Sequence, residues 1–300
     1  MLFRSIVMKV HATALNRGEL VVGGAVHGGP EKLGGNEAAG VISAVGAGVT
    51  QYKAGDKVFG RVRGGFAEYA SAPAHQILPL PACLSFEQAA SIPVSFLTAY
   101  EMIFPPYGKL KTGEWLLITG ASAGAGAACI QIAKMLGAKT IGTSGSADKL
   151  AKLKAIGLDV AIQTRKPDFA AQVKEVTGGR GADLAVNLVG GTVFAECSKS
   201  LARKGRVAVV GYVDGSVTAE IDLSAVHTNR FEIFGISNAK ITADERKAAM
   251  AGFARDVMPA IADGRIVPLV DRVFEFKDLQ AAKDCMESSA MVGKIVVRVA

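Results

Sequence analysis

The segment Leu116-Leu-Ile-Thr-Gly-Ala-Ser-Ala-Gly-Ala-Gly-Ala-Ala constrains this chain more than any other. An apolar run of strand length enters a glycine-rich turn, and a small-residue helix pattern follows. Gly120, Gly124 and Gly126 allow a tight turn and a close backbone approach. The next helix start offers N–H groups and the positive end of its dipole. Together these suit a pyrophosphate. A glycine string alone is weak evidence, but here the strand before it and the helix after it supply the required context. The stretch Leu116 to Ala133 is long enough for a membrane span. Gly and Ala dominate it, however, and Thr119, Ser122 and Gln131 interrupt it, so a buried strand, turn and helix is expected and no membrane partner.

The motif lies in mid-chain, and its surroundings divide in two. Before about residue 80 the pattern is β-rich: Ile6 to Val10, Ala39 to Val45, Asp56 to Val62 and Ala67 to Ala70 read as strands between glycine pairs. Ser85, followed by Glu87 and Gln88, marks a helix start. From Trp115 the rhythm alternates. Strands are expected at 115–119, 140–143, 160–162, 184–188 and 206–210, and helices at 125–136, 147–156, 169–176 and 194–201. Such alternation means a parallel sheet covered on both faces. A long helix is expected from Thr242 to about Ala262, then strands at 270–276 and 294–299 around a helix at 278–288, which return the chain to the front domain.

The 300 residues are 50% hydrophobic, which excludes a disordered chain. The net charge is +7, yet Asp or Glu interrupts most basic groups and aromatic residues are only 6%, so nucleic acid is not an expected partner. Cys83, Cys129, Cys197 and Cys285 are widely spaced without C-x-x-C. They read as reduced, buried thiols of a cytoplasmic protein.

The end of the second alternating strand decides the cofactor. A carboxylate there would bind a ribose diol. This chain has Thr143-Ser-Gly-Ser-Ala-Asp-Lys instead. Ser144 and Ser146 are small donors, Lys149 is a cation, and Asp148 comes only on the helix. NADP(H) is therefore expected over NAD, with Lys149 as a solvated helix lysine being the blander reading. The glycine turn also fits the opening motif of short-chain dehydrogenases, but their Tyr-x-x-x-Lys is missing: Tyr212 is followed by Val213, Asp214, Gly215 and Ser216.

With Ala14-Leu-Asn-Arg-Gly-Glu, Gly35-Asn-Glu-Ala-Ala-Gly-Val-Ile, Gly55-Asp-Lys-Val-Phe-Gly, Gly64-Gly-Phe-Ala-Glu-Tyr, Phe96-Leu-Thr-Ala-Tyr, Asn187-Leu-Val-Gly-Gly and Gly293-Lys-Ile-Val-Val, nearly the whole chain resembles the medium-chain dehydrogenase/reductase family, in its zinc-free quinone oxidoreductase branch. The resemblance implies an α/β chain. A doubly wound Rossmann sheet at 95–264 sits beside a β-rich, GroES-like catalytic domain at 1–94 and 265–300. Zinc-dependent relatives carry a Cys near Leu15-Asn16 and a His where Asn36 stands; both are missing, and the four His are scattered, so no metal is expected. The family has a β-hairpin before the strand at Ile6, so a shortened front with an exposed sheet edge is also expected. Thr164 stands where close relatives often place a Tyr near the adenine.

By resemblance, Ser122, Gly124, Ala125 and Gly126 lie at the pyrophosphate, and Ser144 and Lys149 at the 2′-phosphate. Thr98, Val189, Gly190, Gly211 and Tyr212 border the nicotinamide. Asn16 is the candidate catalytic residue, placed to hydrogen-bond a carbonyl oxygen; a turn-forming Asn is the alternative. Tyr69 and Tyr100 read as packed residues. His11 and His227 read as structural, and the loop around Val21 to Leu33 carries no decisive group.

Without a metal, the expected chemistry is hydride transfer from NADPH to a small electrophile, a quinone or an α,β-unsaturated carbonyl, in a homodimer. The rival readings are a non-catalytic NADPH-binding protein (a sensor or RNA binder), a zinc-free reductase of another carbonyl, and a reductase domain like those of polyketide synthases.

Overall fold

A computed structural model describes residues 3–20, 34–238 and 240–300. The Val21–Leu33 loop and His27 lie outside the described residues. By contact the chain divides into two units, Met1–Leu97 with Ala239–Ala300, and Thr98–Asn238.

The first unit begins with β1 (Ser5–Ala14), α1 (Arg17–Leu20), β2 (Glu37–Val45), β3 (Lys57–Arg61), β4 (Tyr69–Pro73), β5 (Ile77–Pro79) and α2 (Phe86–Ala90). In β1, Ile6, Met8 and Val10 are fully buried while Lys9 is exposed, the period-two pattern of a strand with one face on a core. They pack with Ile42, Val58, Val62 and Ile77. α2 starts on a capping box: Gln88 N donates to Ser85 Oγ at 3.2 Å, and Ser85 N donates to Gln88 Oε1 at 3.0 Å. α3 (Pro93–Ile103) then runs across the division between the units.

The second unit continues with β6 (Trp115–Thr119), α4 (Gly124–Met135), β7 (Lys139–Ser144), α5 (Ala147–Ala155), β8 (Val160–Gln163), α6 (Ala170–Val176), β9 (Ala182–Asn187), α7 (Gly191–Lys199), β10 (Leu201–Val209), α8 (Leu223–Asn229) and β11 (Glu232–Gly235). Its sheet is parallel throughout, in the order β11-β10-β9-β6-β7-β8. β6 thus stands at the reversal of strand order, the place where doubly wound sheets bind ligands outside their carboxyl ends. Leu117, Ile141, Ile162, Ala185 and Val207, one from each of five strands, form its core with Phe169 and Val173 of the α6 side and Phe194 and Cys197 of α7.

The chain then forms α9 (Ala243–Asp256), α10 (Met258–Ala262), β12 (Val270–Glu275), α11 (Leu279–Glu287) and β13 (Lys294–Arg298). β13 pairs antiparallel with β1 and parallel with β12, so the chain end completes the first sheet, order β12-β13-β1-β2-β3-β5 with β4 on β1.

Five sequence expectations change. The long helix after Thr242 breaks at Val257, ahead of Pro259. The division at 264/265 falls instead at 238/239, because α9 packs on the turn at Ala74–Gln76 and groups with the first unit. The helix expected at 194–201 ends at Lys199, and Leu201 already opens β10. Of the cysteines, Cys129 and Cys197 are buried, but Cys83 is exposed and Cys285 half-buried; burial pushes the two buried thiols up, out of the reactive range. Tyr69 is also 53% exposed rather than packed, while Tyr100 is buried and stacked on Phe104. No described helix is long and apolar enough to cross a membrane.

Candidate dinucleotide site and a buried charge centre

The helices α4, α5, α6 and α7 follow the carboxyl ends of strands β6 to β9, and their first N–H groups are treated differently. At α5, Lys149 N donates to Ser146 Oγ at 3.4 Å. At α6, Ala170 N donates to Glu196 Oε1 at 2.8 Å. α4 begins after Ala123, which has no side chain able to cap it. Among the described residues the N–H groups of Gly124, Ala125 and Gly126 meet no acceptor. A helix start left open at the switch point has the free N–H groups and dipole end that suit an anion. Gly126 is needed there because a Cβ would meet the Ala121 carbonyl oxygen at 2.5 Å and its carbonyl carbon at 2.8 Å, so any side chain would push α4 off the end of β6. Ser122 sits half-buried in the same turn. The residues present therefore fit a pyrophosphate.

At the end of β7, Ser144 is buried and its Oγ accepts from Ser146 N at 3.4 Å. Lys149 is half-buried one turn into α5. The structure adds a cation that the sequence reading missed. Arg165, just past β8, lies across Gly145, where a Cβ would meet its Cγ and Nε at 2.4 Å. Among the described residues no carboxylate pairs with Arg165. Thr164 is turned elsewhere, its hydroxyl bonding Asp168 at 2.6 Å. The signal for Arg165 was its place after the third strand, beside the missing Tyr.

The turn after β9 carries Val189 and Gly190. The buried Asn187 holds it from within: its Oδ1 accepts from the Val189 and Gly190 N–H groups at 3.0 Å, and its Nδ2 donates to Gly190 O at 2.8 Å. Gly211 and Tyr212 follow β10 beside it; a Cβ on Gly211 would sit 3.2 Å from Leu188 O. Asp214, a second residue the sequence reading missed, joins the two loops. Its carboxylate accepts from Thr192 N at 2.9 Å, the Thr192 hydroxyl at 2.5 Å and Ser216 N at 2.9 Å. Desolvation pushes this carboxyl up, but the bonds from Thr192 and Ser216 outweigh it and hold it below the usual carboxylate range. Thr98 is buried, and its hydroxyl accepts from Asn238 Nδ2 at 3.2 Å.

The first unit holds a polar centre of another kind. The Lys294 ammonium donates to Glu37 Oε1, Asn16 Oδ1 and Leu15 O, each at 2.7 Å. Glu37 is wholly buried and also accepts from Val94 N at 2.7 Å. Asn16 donates its two N–H bonds to Glu37 Oε1 at 2.8 Å and Glu19 Oε1 at 2.7 Å. Glu19 accepts in turn from the Gly35 and Asn36 N–H groups at 3.0 Å. Burial, and then the charge of Glu37, raises the Glu19 carboxyl against the bonds from Asn16 and Gly35 and the charge of Lys294. Asn16 is therefore enclosed in a charged network rather than presenting an idle amide. No group of three His, Cys, Asp or Glu able to hold a metal is found among the described residues.

Known families agree with this geometry. Residues 4–82 match the alcohol dehydrogenase GroES-like domain, and residues 124–255 match the family described as zinc-binding dehydrogenase, together more than half of the chain. The chain belongs to the medium-chain dehydrogenase/reductase family. Among its members, the human quinone oxidoreductase is 32% identical over 67% of this chain and 63% of its own length. A highly reducing polyketide synthase of Aureobasidium melanogenum is 37% identical over 67% of this chain but only 9% of its own length. The chain thus spans less than two thirds of these curated relatives. The Escherichia coli quinone oxidoreductase, solved in complex with NADPH, superimposes with a TM-score of 0.87 at 29% identity, covering 99% of this chain and 92% of that one.

Proposed function

We propose that the protein is an NADPH-dependent oxidoreductase that reduces a quinone or an α,β-unsaturated carbonyl without zinc. The observation that carries this reading is the open α4 N-terminus with Gly126 tight against Ala121. Ser122, Gly124, Ala125 and Gly126 hold the pyrophosphate against those N–H groups and the helix dipole. Ser144, Lys149 and the added Arg165 take the 2′-phosphate, since no carboxylate ends β7 to repel it. Val189, Gly190, Gly211 and Tyr212 border the nicotinamide, with Thr98 nearby as its anchor.

NADPH supplies the hydride when bound. The chain's part is orientation and the exclusion of water. Asn16 stabilises charge on the acceptor oxygen; because both its N–H groups are given to carboxylates, this role requires the Glu19 contact to give way. NADPH complexes among structural neighbours and the quinone oxidoreductase relatives support the cofactor and the acceptor class. The polyketide synthase relatives and an enoyl reductase neighbour, CurK, support the enone arm. The exposed edge strand β11, with Ile233 44% exposed, suits pairing between copies and supports a homodimer. We place the protein in the cytoplasm on its unpaired cysteines.

The test is NADPH oxidation after EDTA treatment, with an ortho-quinone and an enone in parallel. Turnover of either above the enzyme-free rate supports the reading and names the acceptor. NADPH binding without turnover of any acceptor would favour the non-catalytic binder.

A further inference from the structure

The start of α7 is closed by the protein itself. Leu188 N donates to Thr119 Oγ1, Val189 N and Gly190 N to Asn187 Oδ1, Gly191 N to Ser216 O, and Thr192 N to Asp214 Oδ2. Each N–H from Leu188 to Thr192 therefore has an internal acceptor. The bonds fall in two layers. Asn187 and Thr119 work from inside the sheet. Asp214 and Ser216 work from the neighbouring loop after β10.

The outer layer depends on Asp214. Its backbone N–H donates to Val189 O at 3.1 Å while its carboxylate reaches over the turn to Thr192. The carboxylate occupies the space above Gly190, where a Cβ would overlap Asp214 Oδ1 at 2.0 Å. Gly190 also has φ +137°, a conformation that side chains disfavour. Glycine at 190 and Asp at 214 thus form a matched pair: the missing side chain of one makes room for the head of the other.

Resting on the reading of Val189, Gly190, Gly211 and Tyr212 as the nicotinamide border, we infer that Asp214 is a positioning residue that fixes the two nicotinamide loops as one preformed wall. The wall is built before the cofactor arrives, so binding the nicotinamide does not have to order two loops. Asp214 acts through Thr192, Ser216 and Gly190 in the loops after β9 and β10, whereas the cofactor's phosphate groups are assigned to α4, Ser144, Lys149 and Arg165, which follow β6, β7 and β8. Its loss should therefore affect the two halves of the dinucleotide unequally.

The experiment compares NADPH with 2′,5′-ADP, which carries the adenosine half alone, by titration calorimetry on the intact chain. Asp214→Ala should weaken NADPH about tenfold, the scale of a lost charge-assisted contact, and leave 2′,5′-ADP unchanged. The fluorescence gain of the bound reduced nicotinamide should fall with it, a change that a general loss of stability would not produce. Asp214→Asn, which keeps the shape and part of the acceptor set, should lie between. Thr192→Val, which removes only the hydroxyl, should lose about threefold and keeps the test open if the Ala variant fails to fold. Equal weakening of both ligands, or of neither, in the folded variants overturns the inference while leaving the cofactor reading intact. Failure of the wild-type chain to bind either ligand overturns both.

Discussion

The two polar centres of this chain are built from opposite materials. In the second unit the candidate phosphate site is backbone: N–H groups at the start of α4, exposed by glycine and by an uncapped Ala123. In the first unit the centre is made of side-chain charge: Lys294, Glu37 and Glu19 around Asn16, with Glu37 wholly buried and the Lys294 side chain 6% exposed. The first kind is open in the way the proposed phosphate site requires. The second is closed because a buried charge without a partner is costly. An open centre should lose binding when altered and keep much of its stability; a closed one should lose stability first.

The sharpest test of that contrast is Lys294→Met. It leaves Glu37 buried and unpaired, and should cost about 3–5 kcal/mol in urea unfolding, with 2′,5′-ADP affinity unaltered. Adding Glu37→Gln should recover much of the loss. If Lys294→Met is as stable as the wild type, the closed-centre account fails.

Lys149→Ala probes the open centre. Loss of a charge-assisted phosphate contact worth about 1.5–3 kcal/mol should weaken NADPH roughly tenfold to a hundredfold and NADH far less. Equal loss for both dinucleotides would remove Lys149 from the 2′-phosphate. Gly126→Val adds bulk against the Ala121 carbonyl and should cost about 1–3 kcal/mol, read mainly as weaker NADPH and NADH alike. Arg165→Ala should have a smaller effect, about 0.2–1 kcal/mol in NADPH affinity, because Arg165 is exposed and screened by water.

The smallest expected effect is a pH slope. The folded Glu19 carboxyl titrates above its unfolded value of 4.5. Between those two values the folded chain binds more protons than the unfolded one, so this group's contribution to stability falls as pH rises through the window. Glu19→Gln should remove that component. The stability of the variant relative to wild type, from urea unfolding at several pH values, should rise with pH; a difference that falls with pH would contradict it.

How much of this was legible beforehand differs between the centres. The strand at 115–119 was read with the bounds it has, and the helix start at Ser85 and most alternating elements were read to within a few residues. These are local patterns: a period of two, a glycine after a helix, a capping residue three before its partner. The short β5, β11 and α8 were not read, being brief and weakly patterned. Asn16 was singled out, but not its partners Glu37 and Lys294, which lie 21 and 278 residues away. Arg165 and Asp214 were missed for the same reason.

By itself the sequence determined the alternating sheet, the glycine turn that opens α4 and the lack of a carboxylate after β7, because hydrophobic period and glycine act through neighbours along the chain. Only the tertiary structure decided which helix starts stay open and which are closed. It also decided on which unit α9 packs, and that Lys294 reaches across the first unit to Asn16 and Glu37. Those outcomes depend on hydrogen bonds and ion pairs between segments that only folding brings together.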